Sequence, residues 1–366
     1  MTAYLDYAGM GKLRPRAVAA MQEALVDVLP HGSAEVGRIF PARRRARALA
    51  AGLLDCSTDE IAFVTNTSTG LHLVADGLDW RAGDEVVVFD RDFPANVHPW
   101  RMHDVRLVWV PMRDGGYRME DVEAAISPAT RLVAVSHVNF ATGFRVDLDA
   151  VCALAHRVGA LVSVDAVQSL GVLPLSVADT PVDFLAAGAH KWLCGPVGTG
   201  IFFSRREHLP HLRLPGGWFG FEGANDMLTK GAGHFRYDLS PLPTAARAEG
   251  GMYNVLGMVG LAETLAELSE VGIPAIAERV RHLTQRLCDG LRSAGCAISA
   301  STGGDDWSGI VGFTHPTRES VPFAQELVAA GYHVSHPDGL VRVAPHHWTD
   351  EAEVDAFLRA ITLRIR

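Results

Sequence analysis

Two ionisable residues, Asp165 and Lys191, follow apolar stretches in the middle of the chain, at residues 160–164 and 183–189. Such stretches are typical of buried strands, so both side chains are expected where a strand ends. A buried lysine can hold pyridoxal 5'-phosphate as a Schiff base. A buried carboxylate can keep the pyridine nitrogen of that cofactor protonated, so that the ring withdraws electrons from a carbanion. Because no other common chemistry needs both groups, the pair predicts a pyridoxal phosphate site.

The neighbours of this pair favour a site over two ordinary polar residues. A single aspartate at a strand end usually caps a turn, and a single lysine is usually solvated. Here His190 adjoins the lysine, Gln168 lies shortly after the aspartate, and a glycine-rich segment follows at residues 195–200. Ligands of open α/β sheets bind outside the carboxyl ends of the strands, where both residues are predicted to lie.

A phosphate site is predicted at residues 65–70, which read Thr-Asn-Thr-Ser-Thr-Gly between a predicted strand and a predicted helix at residues 71–78. Backbone N–H groups at a helix N-terminus bind anions, and Thr67 and Ser68 add hydroxyl groups. An ordinary helix N-cap would use the same residue types, so this alternative stays open.

Several blocks, in the same order along the chain, resemble class V aminotransferases, the family that includes cysteine desulfurases, isopenicillin N epimerases and kynureninases. The resemblance covers nearly the whole chain and rests on Tyr4-Leu-Asp-Tyr-Ala8, Thr65-Asn-Thr-Ser-Thr-Gly70, Asp92-Phe-Pro-Ala-Asn-Val-His-Pro-Trp100, Ser163-Val-Asp-Ala-Val-Gln168, Ala189-His-Lys-Trp192 and Leu340-Val-Arg-Val-Ala-Pro345. It implies a fold type I enzyme that uses pyridoxal phosphate, acts on a small amino acid and forms a homodimer with its sites at the subunit interface.

The resemblance also implies a role for each candidate residue. Lys191 carries the cofactor and then moves the proton at the substrate α-carbon. The other roles are the pyridine nitrogen for Asp165, the phenolic oxygen for Gln168, the phosphate for His190, the ring face for Phe93 and the substrate carboxylate for Arg342. A core phenylalanine, a core histidine and an arginine on the solvent side of an edge strand are the competing interpretations for Phe93, His190 and Arg342.

Three positions depart from the family pattern. Desulfurases carry a nucleophilic cysteine just before the substrate arginine, whereas residues 331–340 contain none, so a persulfide mechanism is not expected. In Glu249-Gly-Gly-Met-Tyr-Asn254, Met252 replaces a threonine that usually contacts phosphate from the partner subunit. The usual asparagine near the cofactor oxygen falls on Phe140, and Asn139, one position earlier on a strand, is expected to point to the other face.

Composition places the chain among ordinary globular proteins. It has 366 residues, 48% of them hydrophobic, and a formal net charge of -9, which disfavours nucleic-acid and anionic-membrane partners. Neither a secretory leader nor a membrane span is indicated, so a cytoplasmic location is expected. Five scattered cysteines without metal-ligand spacing predict reduced packing residues and no metal site.

Strand-like and helical stretches alternate between residues 59 and 203, which predicts an α/β fold with a mainly parallel sheet covered by helices. The predicted strands are residues 60–65, 85–89, 107–111, 132–138, 161–165, 184–187 and 200–203. We expect a large cofactor-binding domain at residues 20–255 and a small α/β domain formed by residues 1–19 and 256–366. Residues 212–247 read as a long irregular connection.

The cofactor does not determine which bond of the substrate breaks. The first expectation is an amino-acid aminotransferase. The alternative is a β-lyase, such as a C–S lyase, or an epimerase acting on the same carbanion without a catalytic cysteine. A lyase needs no keto acid as a second substrate, and this requirement distinguishes the two. A third hypothesis is a catalytically inactive relative that only binds cofactor or a partner protein. Such a protein would not need Lys191, Asp165 and Arg342 together.

Overall fold

The protein was analysed as a computed structural model that describes residues 2–299 and 304–365. Its strands are short runs of Val, Ile, Leu, Phe and Ala, residues that suit strands covered on both faces. They are β1 Ala3–Tyr4, β2 Ile61–Val64, β3 Glu85–Phe89, β4 Arg106–Val110, β5 Thr130–Ser136, β6 Leu161–Asp165, β7 Phe184–Gly188, β8 Gly200–Ser204, β9 Ala297–Ile298, β10 Val311–Thr314, β11 Tyr332–His333 and β12 Val341–Val343.

Seven strands form the central sheet in the order β2-β8-β7-β6-β5-β3-β4. Strands β7, β6, β5, β3 and β4 are parallel, and β8 runs antiparallel to both of its neighbours. The carboxyl ends of the parallel strands therefore meet at one edge. Consecutive parallel strands need crossover connections, which the helices and loops between them provide.

The helices cover this sheet and build the C-terminal part of the chain. They are α1 Pro15–Glu23, α2 Phe40–Leu54, α3 Thr67–Gly77, α4 His98–Arg101, α5 Met119–Ala125, α6 Leu148–His156, α7 Asp226–Thr229, α8 Val255–Val271, α9 Ile273–Ser293, α10 Ser320–Ala329 and α11 Glu351–Ile365. Helix α3 begins at a side-chain cap, because Asn66 Oδ1 accepts a hydrogen bond of 2.9 Å from the Thr69 N–H.

A second, smaller core lies outside the central sheet. The antiparallel strands β12, β10 and β9 pack there with helices α9, α10 and α11. Ala3 and Leu5 belong to the same core, since β1 pairs in parallel with β11. The N-terminal segment is thus brought beside the chain's last strands. Helix α8 instead packs into the larger core through Met258, Leu261 and Leu265.

The structure confirms the predicted α/β fold and all seven predicted strands of the sheet, each within about two residues of its predicted ends. The tract at residues 212–247 has short helical turns and is otherwise irregular, as expected. The domain boundary at residue 255 stays a prediction. None of the helices in the described ranges combines the length and apolar character needed to cross a membrane. The cytoplasmic location also stays a prediction.

Candidate active site

Asp165 and Lys191 are positioned by neighbouring parallel strands. Asp165 is the last residue of β6 and pairs with Ala186 of β7, and the chain continues from β7 through Ala189 and His190 to Lys191. Both side chains therefore lie at the carboxyl edge of the sheet. The N-terminal segment contacts the backbone beside Lys191, because the Gly11 N–H donates a hydrogen bond of 2.7 Å to the His190 carbonyl.

Asp165 is a buried carboxylate with few hydrogen-bond donors around it. Its side chain accepts one hydrogen bond, of 2.9 Å, from the Val167 N–H, and the residue is 2% exposed. Burial raises the pKa of Asp165 to about 7; Asp92 contributes to this rise, and the Val167 N–H and Lys191 oppose it. Such a group is stabilised by any cationic N–H donor that reaches it.

Lys191 is the ionisable group on the other side of the site. Burial lowers the pKa of Lys191 to about 8, the cationic Arg342 lowers it as well, and Asp165 and Asp6 oppose the change. Its Nζ lies 5.5 Å from the centre of the Phe93 ring. A lysine with a pKa near neutrality is an amine for an appreciable fraction of the time, which both a nucleophile and a general base require.

The phosphate candidates lie around Gly188, at the end of β7. Thr67 begins α3, is buried, and its Oγ1 accepts a hydrogen bond of 2.9 Å from the Gly188 N–H. A Cβ added at Gly188 would lie 2.9 Å from the His190 ring and 3.3 Å from Thr67 Oγ1. Gly188 therefore brings the imidazole and the hydroxyl together. Ser68, in the first turn of α3, is exposed.

Gln168 is buried and largely engaged with the protein. Its Nε2 donates to the Ala8 carbonyl at 3.1 Å, and its Oε1 accepts from the Trp192 indole at 3.0 Å. A primary amide has two N–H donors, so one remains for a cofactor oxygen. The sequence did not indicate that Gln168 also ties the N-terminal segment to the lysine loop.

Two phenylalanines form an apolar wall beside Lys191. Phe93 and Phe140 contact each other edge to face, with ring centres 5.2 Å apart, and Phe93 is 41% exposed. The Phe93 turn is held by Asp92, which accepts hydrogen bonds from the Phe93 N–H at 2.6 Å and from the Ser136 N–H at 3.1 Å. Sequence reasoning missed Asp92, although it opens one of the blocks that carry the resemblance.

Asn139 was expected on a strand, but β5 ends at Ser136, so Asn139 and Phe140 lie in the turn that follows and the strand argument for opposite faces is wrong. Asn139 Oδ1 accepts from the N–H groups of Ala141 and Thr142, both at 3.0 Å, and its Nδ2 donates to the Arg91 carbonyl at 3.0 Å. The amide thus closes a local turn. Phe140 takes the position next to Phe93, so this side of the site is apolar.

Arg342 lies in β12 and is 5% exposed. Its Nη1 donates to the Phe140 carbonyl at 2.8 Å, and its Nη2 donates to Asp6 Oδ1 at 3.0 Å. Ser335 Oγ donates to the same carboxylate oxygen at 2.9 Å. The Nε atom is buried and has no hydrogen-bond partner. A buried donor without a partner is costly, so a ligand carboxylate that accepts from Nε would stabilise the guanidinium.

Asp6 is the second residue that sequence reasoning missed. It lies in the Tyr4–Ala8 block, yet its partners Ser335 and Arg342 are more than 300 residues away in sequence. A local sequence pattern does not predict a contact between positions so far apart. The signal available was a charged residue inside an apolar N-terminal segment.

These residues fit pyridoxal phosphate. The buried carboxylate of Asp165 lacks the cationic partner that a pyridinium N–H would supply. The space around Gly188 is one that a Cβ would fill, and a helix N-terminus, an imidazole and a hydroxyl surround it. Lys191 has the lowered pKa that covalent attachment requires.

Reactive thiols are absent from this arrangement. All five cysteines are free, and burial raises the pKa of each to about 11 or 12. Cys194, three residues after Lys191, is fully buried. Because the thiolate is the nucleophilic form of cysteine, these thiols are inert packing groups, as the sequence predicted.

Comparison with known proteins identifies the family of the chain. The family model described as Aminotransferase class-V matches residues 3–360. A probable cysteine desulfurase of Methanothermobacter thermautotrophicus is 34% identical over 300 residues, which are 78% of this chain and 71% of that protein.

Solved structures show the same fold. The apo cysteine desulfurase of Thermococcus onnurineus is 25% identical with a TM-score of 0.87, and the match covers 100% of this chain and 94% of that one. A cystine C-S lyase is 22% identical. Its complex with cysteine persulfide has a TM-score of 0.87 over 99% of this chain and 97% of that one. A mutant of that lyase, with glycine covalently linked to its PLP cofactor, has a TM-score of 0.89 over 99% and 96%.

Proposed function

The chain belongs to the class V aminotransferase family and is an enzyme that uses pyridoxal phosphate, and on that premise we propose that it is a β-elimination lyase. Its substrate is an amino acid with a sulfur substituent on the β-carbon. The observation that carries this proposal is the pairing of Lys191 with an apolar wall and inert cysteines. That arrangement can break a carbon–sulfur bond without a protein thiol.

The cofactor, when bound, withdraws electrons from the bonds at the substrate α-carbon. Lys191 holds it covalently, Asp165 receives its pyridinium N–H, and Phe93 covers its ring. Gln168 donates to its phenolic oxygen, and Thr67, Ser68 and His190 surround its phosphate. These roles are the proposal for the site residues, supported by the burial of Asp165 and the cradle around Gly188.

Arg342 positions the substrate. Its unpartnered Nε and its anchored Nη groups present a fixed donor to the substrate carboxylate, while Asp6 and the Phe140 carbonyl prevent the guanidinium from turning. Because the Nη groups are held by the protein, the Nε donor has a fixed direction and orients the carboxylate that it binds. A carboxylate at Arg342 and an amine at the cofactor together make the substrate an α-amino acid.

Lys191 then does the acid–base work. Its amine, freed when the substrate amine takes its place on the cofactor, would take the proton from the α-carbon; a double bond would form between the α- and β-carbons, and the sulfur would leave with the bonding electron pair. A thiol has an ordinary pKa near 8.5, so sulfur departs as an anion without a protein acid beside it. Phe93 cannot transfer protons, which suits this reaction. Hydrolysis of the remaining fragment gives a keto acid and ammonia.

Transamination is the second candidate, because one observation favours it too. A single flexible lysine can remove the α-proton and return it at the cofactor carbon, and Lys191 beside Phe93 is such an arrangement. Transamination differs in its stoichiometry, since the amino group stays with the enzyme until a keto acid removes it.

The experiment that separates the candidates is product release in the absence of any keto acid. Purified enzyme is given cysteine, cystine and S-alkyl cysteines, and three products are followed with time: keto acid, ammonia and the sulfur compound, which is sulfide from cysteine, a persulfide from cystine and a thiol from S-alkyl cysteines. The lyase releases all three continuously, many times per enzyme. A single equivalent of keto acid, with turnover resuming only when a second keto acid is added, would assign the aminotransferase instead.

We also propose that the protein is a homodimer. Support comes from the segment at residues 216–254, where large apolar side chains are exposed: Trp218 39%, Phe235 63%, Tyr237 91% and Met252 66%. Exposed aromatic clusters of this kind favour an interface. Sedimentation velocity of the cofactor-loaded protein should give the mass of two chains, and an active monomer would refute the dimer.

A further inference from the structure

A second cluster of ionisable residues lies at the opposite edge of the sheet from Lys191. Asp183 directly precedes β7, so it stands at the amino end of the strand whose carboxyl end leads to the lysine. Its side chain is only 5% exposed, and two imidazoles converge on it from different elements. His156 is the last residue of α6, and His208 ends a short turn after β8.

Each oxygen of the Asp183 carboxylate makes a short contact with one imidazole. His156 Nε2 lies 2.9 Å from Asp183 Oδ2, and His208 Nε2 lies 2.6 Å from Oδ1. Glu207 Oε1 is 3.9 Å from His208 Nε2. Potential ligand atoms of Asp183, Glu207 and His208 all lie within 4.8 Å of one another.

These separations match the edges of a tetrahedral metal site. With metal–ligand bonds of roughly 2.0 to 2.1 Å, neighbouring ligand atoms are about 3.3 Å apart. The separations of His208 Nε2 from Asp183 Oδ1, 2.6 Å, and from Glu207 Oε1, 3.9 Å, bracket that value, and a small rotation of the exposed Glu207 would equalise them. One imidazole nitrogen and two carboxylates, with water in the fourth position, are ligands that zinc and the neighbouring divalent transition metals accept.

The surroundings hold the central ligand in place. The Val162 N–H donates to Asp183 Oδ2 at 2.7 Å, which fixes the orientation of the carboxylate as partners of metal ligands commonly do. The His208 ring packs against Phe184, with ring centres 5.2 Å apart. A cavity of about 430 Å³ reaches His208 and is also lined by Phe184, His211, Arg81 and Arg131.

We propose that Asp183, His208 and Glu207 bind one divalent transition-metal ion of the zinc type, and that His156 orients the Asp183 carboxylate through its hydrogen bond to Oδ2. The ion replaces the proton that His208 shares with Asp183. It joins the start of β7 to the turn after β8, and it lies at the far edge of the sheet from the reacting atoms. Its effect is on stability, not on the chemistry at Lys191.

The test uses the cofactor-loaded protein, treated with a chelator and then titrated with zinc chloride. Isothermal titration calorimetry should give one ion per chain with a Kd in the micromolar range or below, and saturating zinc should raise the Tm because the folded state alone offers the site. Binding weaker than roughly 100 μM, or a Tm that zinc does not raise, overturns the proposal.

Variants decide whether this cluster is the site. His156→Gln and His208→Gln should each weaken zinc binding at least about tenfold. The matched control is His103→Gln, because His72, Asp76 and His103 form a similar arrangement with an exposed carboxylate, Asp76 being 62% exposed. Cofactor absorbance reports that each variant is folded. His156 is partly exposed, so its replacement keeps the test available if the His208 variant does not fold. Equal weakening in the control would overturn the assignment.

Discussion

The two ends of the active site are assembled in different ways. At the cofactor end, Thr67, Asp165 and Lys191 lie at or just after the carboxyl ends of β2, β6 and β7, which point the same way in one sheet, so the sheet brings them together. At the substrate end, Arg342 meets Asp6 and the Phe140 carbonyl, three positions from distant parts of the chain. Strand order fixes the first end, and packing of the smaller core fixes the second.

This difference distinguishes cofactor binding from the choice of substrate. On the proposed assignment, cofactor binding depends on the central sheet, which a change in one loop leaves intact. On the same assignment, choice of substrate depends on the contacts of Arg342 with Asp6 and with the Phe140 carbonyl. We therefore expect changes at the cofactor end to abolish function and changes at the substrate end to alter KM.

The largest effect is expected for Lys191→Ala. Without its amine the cofactor has no covalent attachment and the α-proton has no base, so turnover should fall at least about 10³-fold. Absorbance spectroscopy should show loss of the visible band of the bound cofactor. The control is Lys230→Ala, since Lys230 is exposed and pairs only with Asp226. Normal turnover in the Lys191 variant would refute the assignment of the catalytic lysine.

Arg342→Ala should act mainly on binding. Loss of a charge-assisted contact to the substrate carboxylate costs about 2 to 3 kcal/mol, or roughly a 30- to 150-fold rise in KM. Steady-state kinetics should show a smaller change in kcat. Arg91→Ala is the comparison, because Arg91 is 60% exposed and pairs with Asp338 at the surface. A KM unchanged by the Arg342 substitution would mean that another group binds the carboxylate.

Asp165→Asn should change how the stability of the cofactor-free protein depends on pH. The pKa of Asp165 is about 7 in the folded protein and about 3.9 when unfolded, so the folded state holds more protons between these values. Its burial therefore costs most above pH 7 and nothing below about pH 4.

The variant should accordingly be more stable than the wild type above pH 7 and equal to it near pH 4. Urea unfolding midpoints measured across this range would show the difference. A difference that stays constant with pH would contradict the raised pKa.

Asp6→Ala should give the smallest of these effects. It removes one anchor of Arg342, and loss of that hydrogen bond should raise KM about tenfold with little change in kcat. Asp6→Asn keeps an oxygen that can accept from Arg342 and should restore most of the affinity. If both variants bind substrate as the wild type does, Asp6 does not position the guanidinium.

Local sequence patterns predicted the fold and placed Asp165 and Lys191 where strands end, for a physical reason. Buried parallel strands require continuous apolar runs, and chemistry concentrates where those runs stop. The helix at Thr67 follows from the same logic, whereas Phe93 and Phe140 were indicated by the family resemblance. Their roles toward the cofactor stay predictions.

The substrate end could not be predicted in the same way. The pairing of Asp6 with Arg342 depends on β1 lying beside β11, which no local pattern specifies. Asp92 was missed because an aspartate after a strand is usually a turn residue, whereas here its carboxylate fastens the Phe93 turn to the end of β5. The His156–Asp183–His208 cluster likewise requires three separate elements to meet.

The most direct test of the central claim is intact-mass spectrometry of the enzyme during turnover of cysteine or an S-substituted cysteine. The account holds that Lys191 breaks the carbon–sulfur bond and that no protein thiol receives the sulfur. It predicts that keto acid and sulfide or thiol are released while the mass of the chain stays unchanged. A chain that gains the mass of a sulfur atom on a cysteine during turnover would contradict it.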